Sequence, residues 1–355
     1  MANVTQELII RKIFLYKYSL SFVKEVSIWG RQCVKREGLL IKLVDEEGKE
    51  SWGEVAPIPF DKAIIESCVS EYLSLKKRLI NPIYNEIVKN ITSPYSRFGL
   101  YSAVKQNTWG MRSDIQSDFG IVINALLLGE EEEILIRLKE LYERGFRVFK
   151  LKAGNNKIEE VIRLLSNIGE VYGENLRLIL DLNKGLDLKS ALYMLPQVAN
   201  MEFIAYVEDP VNRVEDLKPL LEECGIKVGV DEFLVSDWVY VQSYCEKYGD
   251  RLVMIIKPSI LFGNECWEKI IVNRHLEKVF SSSWETGVGT RAVLMMSHEI
   301  NGGYIHTGID TYSYFAEDIC TPKLNTKRPK IPVREVMSPF KVDESKIELC
   351  GEVIF

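Results

Sequence analysis

The chain has 355 residues, 46% hydrophobic and 27% charged, the make-up of an ordinary soluble globular protein too long for one small domain. Acids outnumber basic residues 51 to 45, and the net charge of −6 argues against a nucleic-acid binder. No apolar run reaches the roughly 20 residues of a membrane helix, and residues 1–11 lack a basic-then-apolar leader, so the expectation is a cytoplasmic protein with no membrane partner.

In chain order, ELIIRKIFLYKYSLSF reads as a strand, and GLLIKLVDEEGKESWGEVAP as a hairpin around the turn Asp45-Glu46-Glu47-Gly48. Residues 61–79 and 94–112 carry apolar side chains at helical spacing. Residues 1–117 therefore predict an α+β capping domain. Beyond them the pattern changes to unbroken apolar strands alternating with amphipathic helices. IVINALLLG, FRVFKLKAG, LRLILDLN, FIAYVEDP, IKVGVDEF, RLVMIIKPS and KVFSSSWETG are the strands, with a last short one near Tyr304-Ile305-His306. Such strands belong to a parallel sheet buried on both faces. About eight of them predict an α/β fold, a TIM-like (β/α)7β barrel over residues 118–316; a doubly wound sheet would instead gather its site at one switch point. The tail, 317–355, ends in the strand-like KIELCGEVIF and is expected to return to the capping domain and complete its sheet.

Five strand ends carry charge: Lys150 and Lys152, Asp181, Glu208, Asp231 and Lys257. From Lys152 onward they are spaced 29, 27, 23 and 26 residues apart, about one strand, one helix and two loops each. That spacing puts them all at one end of a barrel, where such barrels keep their chemistry. A lone Lys-x-Lys is ordinarily a solvated strand end, and a lone Asp there is ordinarily a helix cap. Three acids in series facing lysines are neither. They call for a cation, and hard oxygen donors select Mg2+, Mn2+ or Ca2+; three protein ligands that leave open positions are what Mg2+ prefers, with Mn2+ as a substitute. A metal-bound carboxylate between Lys152 and Lys257 is arranged for proton removal beside that carboxylate. At the next strand end, the hydroxyls and backbone N–H groups of residues 281–287 are candidates for a second substrate carboxylate. Seven scattered cysteines without a Cys-x-x-Cys pair read as reduced thiols, and three dispersed histidines do not suggest zinc.

At these residues the chain resembles the muconate-lactonizing branch of the enolase superfamily, and within it the o-succinylbenzoate synthase family. GLLIKLVDEEGKESWGEVAPIP and Ser96-Arg97-Phe98-Gly99-Leu100 are similar to that family's first-domain segments. LKAG, LDLN, VEDP, VDEF, IKPS, SSSWETGVGT and Thr307-Gly308-Ile309-Asp310-Thr311 follow its barrel order. The resemblance implies Mg2+ on Asp181, Glu208 and Asp231, with Lys152 as acid/base and Lys257 on the opposite face of the ring. It implies Lys150 and Asn183 as supports, and Ser281, Ser283, Glu285, Trp29 and Arg31 as substrate contacts, the last two on a mobile loop over residues 26–35. The implied substrate is a small carboxylate, and the implied reaction is the syn dehydration of 2-succinyl-6-hydroxy-2,4-cyclohexadiene-1-carboxylate to o-succinylbenzoate, a step of menaquinone synthesis. The chain departs from the family at Lys184, where Arg is frequent, at Phe60-Asp61, which lacks a usual Gly, and at the bulky Trp284. The alternative is an N-acylamino acid racemase or dipeptide epimerase; against the latter, the last strand has one acid, Asp310, where epimerases tend to have an Asp-x-Asp pair. A barrel kept only for binding would be expected to have lost a ligand or a lysine, and none is missing.

Overall fold

A computed structural model describes residues 8–28, 31–58, 60–76, 79–109, 119–154, 156–302 and 306–355. Strands β1 (Ile10–Ile28) and β2 (Arg31–Asp45) form one long antiparallel hairpin, and β3 (Glu50–Val55) pairs with β2. The predicted turn after Asp45 is present: its side chain accepts from the backbone N–H groups of Glu47 (3.0 Å) and Lys49 (2.8 Å). Both faces of this sheet are covered. Ile13, Leu15, Leu39, Ile41 and Leu43 pack against helices α1 (Lys62–Leu75), α2 (Tyr84–Lys89) and α3 (Pro94–Trp109), while Tyr18, Leu20, Leu40 and Trp52 join the barrel's core. The alternation of the strands is what divides these two sets.

After β4 (Gly120–Val122), seven parallel strands follow: β5 (Ala125–Leu127), β6 (Val148–Lys152), β7 (Arg177–Asp181), β8 (Ile204–Glu208), β9 (Val228–Val230), β10 (Leu252–Ile256) and β11 (Glu277–Phe280). Each lies beside its predecessor. The connecting helices are α4 (Glu131–Glu143), α5 (Ile158–Tyr172), α6 (Leu188–Ala199), α7 (Leu217–Glu223), α8 (Phe233–Ser236) with α9 (Trp238–Tyr248), α10 (Pro258–Leu261) with α11 (Glu265–Val272), and α12 (Gly287–Asn301). In α5, Val161, Leu164, Leu165 and Ile168 show how one apolar stripe seats a helix on the sheet. The eighth stave is short: Thr307 bridges Ile123 and Gly308 bridges Ser281, both parallel, which closes the sheet into the (β/α)7β barrel. Tyr304 and Ile305, where that strand was expected to begin, lie outside the described residues.

The tail divides its contacts. After β12 (Cys320–Thr321), strand β13 (Lys330–Pro332) pairs with β4, helix α13 (Val333–Val336) follows, and β14 (Lys341–Val342) pairs with β12. The fully buried Arg291 of α12 holds this stretch on the barrel, donating to the carbonyls of Glu335 (2.7 Å), Val336 (3.0 Å) and Pro322 (2.9 Å). Only the last piece, β15 (Ile347–Ile354), pairs with β1 in the capping sheet. The segment 26–35, expected as a mobile loop, is in its described residues the end of the β1–β2 hairpin, with Val26 opposite Cys33 and Ile28 opposite Arg31.

Inside the barrel, Ile179, Tyr206, Val253, Ile255 and Val279 form an apolar layer. Gly229 makes this possible, because a Cβ there would lie 2.9 Å from the Tyr206 ring. His306 stacks on that ring at 6.3 Å, and burial drops its imidazole to about 4, with Glu277 opposing. A histidine held below its ordinary value stabilises the fold above pH 6.5 and loses that contribution as pH falls towards 4. Between pH 7 and pH 5, denaturant unfolding is therefore expected to show wild type losing about 1–2 kcal/mol relative to His306→Gln.

Candidate active site

The register of the barrel strands sets the first three charged groups in a row. Lys152 of β6 lies opposite Asp181 of β7, and Asp181 opposite Glu208 of β8. Glu208 is level with Gly229, so Asp231, two residues further on, is on the same face one step higher. Lys257 follows β10, four strands from Lys152 in an eight-stave barrel, and thus across the mouth. The apolar layer with Tyr206 is the floor beneath them.

The side chains pair across this mouth. The Lys150 ammonium sits between Asp181 (2.9 Å) and Glu208 (2.6 Å), and Lys257 is in contact with Asp231. Lys152 is only 3.9 Å from Asp181 and its side chain is 43% exposed, against 14% for Lys150. Burial would lower the Lys150 ammonium, but Asp181, Glu208 and Asp231 outweigh it and hold it well above its ordinary value. Lys152 goes the other way: desolvation lowers it, Asp181 opposes, and the charges of Lys150 and Lys257 add to the fall. Burial raises Glu208 to about 7; Lys150 opposes that rise, while Asp181 and Asp231 add to it.

Among the described residues, no three metal-type side chains are close enough to close on one ion. In this arrangement the carboxylates are paired with Lys150 and Lys257. The donor set nonetheless fits a hard divalent cation. Asp181, Glu208 and Asp231 supply oxygen only, and Glu208 is raised by burial first and then by its two acidic neighbours, both of which a cation relieves.

Sequence reasoning missed Asp209. It has a φ of 41°, is buried, and its carboxylate accepts from the backbone N–H groups of Asp231 (3.0 Å) and Glu232 (2.9 Å), so it shapes the strand end that carries the third acid. The only signal was an acid beside Glu208 in VEDP. Asn183 also takes a positive φ, 45°, a conformation Asn tolerates, and its N–H donates to Asp181 at 3.1 Å. Beside Asp231 and Lys257 a cavity of about 170 Å³ is walled by Lys184, Glu232, Val235, Ser236, Ile260 and Leu261. A larger cleft of about 990 Å³ includes Lys227, Glu277 and Lys278, at the opposite end of the barrel, and contains none of these groups.

The residues after β11 are not the open anion cradle that the sequence suggested. Glu285 is fully buried and accepts from Ser259 Oγ (2.6 Å) and the Ser283 N–H (2.6 Å). Ser281 Oγ donates to the Gly308 carbonyl (3.1 Å), and Ser282 pairs with Thr311. The α12 N–H groups go to protein acceptors: Gly287 to Asp318 (3.0 Å), Val288 to Thr286 Oγ1 (3.3 Å) and Gly289 to Glu54 (2.8 Å). Ser283 Oγ is buried with no hydrogen-bond partner among the described residues. Trp284, at φ 63°, packs on Phe22 of the β1–β2 hairpin at 5.2 Å and on Tyr314 at 5.9 Å. Arg31 is exposed on the hairpin, and Trp29 lies outside the described residues.

Removing the Asp209 acceptor leaves two part-buried N–H groups, those of Asp231 and Glu232, without their carboxylate. Asp209→Ala is expected to weaken Mn2+ binding by about 10–100-fold in calorimetry, and Asp209→Asn by less.

Residues 133–255 match the family described as Enolase C-terminal domain-like, and residues 10–106 the MenC N-terminal domain. The chain is 23% identical over 346 residues to an o-succinylbenzoate synthase of Pasteurella multocida, covering 94% of this chain and 99% of that one. Among solved structures it is similar to the o-succinylbenzoate synthase from Thermosynechococcus elongatus complexed with Mg in the active site, at TM-score 0.69 and 22% identity, covering 86% and 95% of the two chains. It is also similar to a substrate-liganded L-Ala-D/L-Glu epimerase from Bacillus subtilis, at TM-score 0.75 and 18% identity, covering 98% and 99%. With this fold and these matches, the chain belongs to the enolase superfamily and resembles its o-succinylbenzoate synthases.

Proposed function

We propose that the protein is a Mg2+-dependent o-succinylbenzoate synthase, with Mn2+ a workable substitute, acting in the cytoplasm on a step of menaquinone synthesis. Residues 118–316 are the catalytic domain in this reading, and 1–117 with 317–355 the cap. The observation that carries it is the aligned row of Lys152, Asp181 and Glu208, faced across the mouth by Asp231 and Lys257. Asp181, Glu208 and Asp231 would hold the metal. When bound, it would supply positive charge to the substrate carboxylate.

The chain's own groups account for the rest. Lys152, as the free amine, removes the proton α to the carboxylate, and the electron pair moves towards that carboxylate. The C–O bond to the leaving hydroxyl then breaks, and the Lys152 ammonium returns its proton to the departing oxygen, releasing water. A single group on one face serves both steps, which suits a syn elimination. The Lys257 ammonium on the opposite face stabilises the charge between them. Lys150 holds Asp181 and Glu208 in place.

The epimerase reading is disfavoured by Asp310. Its carboxylate accepts from the Leu126 N–H (2.8 Å) and pairs with Arg137 (3.1 Å), so it is already engaged where a substrate ammonium would need it. Purified protein with Mg2+ is expected to consume the cyclohexadiene substrate, followed as loss of diene absorbance. EDTA should stop the reaction and added Mg2+ restore it. Lys152→Ala should lower kcat by roughly 10²–10⁴-fold. An intact diene, with turnover of an N-succinylamino acid instead, would move the chain to the racemase reading.

A further inference from the structure

Glu54 is on β3 of the capping sheet, fully buried, yet its carboxylate serves the barrel. Oε1 accepts from Tyr18 OH at 2.5 Å and from the Thr286 N–H at 3.0 Å. Oε2 accepts from the Thr286 hydroxyl at 2.7 Å and the Gly289 N–H at 2.8 Å. Three of these four donors belong to Thr286, the N-cap of α12, and to its first turn. A second carboxylate is close by. A Cβ on Gly289 would lie 2.8 Å from Glu54 Oε2 and 2.7 Å from Glu285 Cγ, so both acids crowd the space beside this glycine. Glu285 in turn holds Ser259, two residues after Lys257 and also fully buried. The neighbouring contacts tie the same segment to the cap: Arg36 of β2 is fully buried and donates through Nε to the Trp284 carbonyl at 3.0 Å.

Holding two units together does not require a buried acid. An apolar contact does that without desolvating a charge. What a carboxylate with several donors adds is direction, because its bonds fix where an N-terminus lies. We infer that Glu54 is a positioning residue: from the capping sheet it fixes the start of α12, and through Glu285 and Ser259 it sets where the Lys257 ammonium stands over Asp231. Through Glu54 the cap thereby adjusts the face of the site opposite Lys152. The kinetic part of this inference rests on the synthase reading; the structural part does not.

The test uses the full chain loaded with Mg2+. Glu54→Ala removes the acceptor, and Gly289→Ala displaces both acids without removing either. Small misplacement of a reacting group costs rate more than binding. Both variants are expected to lose about 10–100-fold in kcat on the diene with KM changed by less than about threefold. Thr286→Val should behave like them, and Thr286→Ser, which keeps the hydroxyl donor, should retain most of the wild-type rate. Amide hydrogen exchange read by mass spectrometry should accelerate in peptides 256–261 and 282–290 and stay unchanged in 177–183. Wild-type kcat in Glu54→Ala, a Thr286→Ser variant as slow as Thr286→Val, or exchange that is unchanged or faster throughout the barrel would each overturn the inference. A wild-type protein inactive on the diene would defeat the synthase reading instead, and the exchange pattern would still decide whether Glu54 fixes the start of α12.

Discussion

An ammonium held between two buried carboxylates is the contact on which the barrel mouth depends. Asp181 and Glu208 stand side by side in register above an apolar floor, where an isolated charge would be costly. Lys150 reaches both, and its position is fixed by β6, which pairs directly with β7. Burial and compensation are thus built into the same three strands. The rest of the mouth repeats the device at lower density, with Lys257 on Asp231 and Lys184 on Glu232 at 2.9 Å. Breaking such a buried pair from one side leaves the other charge uncompensated, so the lysines and acids constrain one another.

The capping sheet has a matching constraint. Its hairpin rests on the barrel through Phe22, which packs on Trp284 and on Phe315 at 5.2 Å, and through the Ala316 N–H bonded to the Ser21 carbonyl at 3.0 Å. Arg36 and Glu54 bind the loop between β11 and α12 from the same side. One short segment, residues 281–289, therefore carries a barrel strand end, a helix start and the seat of the cap. Its one acid, Glu285, is buried, and the helix N-terminus that follows attracts carboxylates from outside the segment, Glu54 of the cap and Asp318.

How much of this could be read from the sequence follows from which interactions are local. Strand and helix periodicity gave the barrel, and the spacing of the charged strand ends put Lys152, Asp181 and Glu208 in one row. Residues 26–35 were read as a loop around Gly30, and it is pairing across the hairpin that makes their described residues strand. Glu285 was read as facing substrate; its partner Ser259 is 26 residues away and leaves no trace in the local pattern. Asp209 and Glu54 were passed over for the same reason: each acts on backbone N–H groups of another strand or helix, and a backbone donor has no letter in the sequence. The tail was half legible. Its final strand is recognisable from its Ile, Leu and Val residues, whereas residues 322–336 are held on the barrel by pairing with β4 and by the buried Arg291 of α12, both far away in sequence.

The two lysines of β6 show how the same residue type on the same face acquires different chemistry. Lys150 points to the deeper layer, where two carboxylates take its hydrogen bonds and hold it charged. Lys152, one pleat further out, has a single long contact to Asp181 and keeps access to the mouth. A group that must give up and regain a proton during a reaction has to change partners, and a tightly bonded ammonium cannot do so cheaply. Position along one strand therefore separates a structural cation from a mobile one. Lys257 lies between these extremes, bonded to one acid and standing opposite Lys152. A charge that is held, but by one partner only, suits a group that stabilises a transient anion without exchanging its own proton.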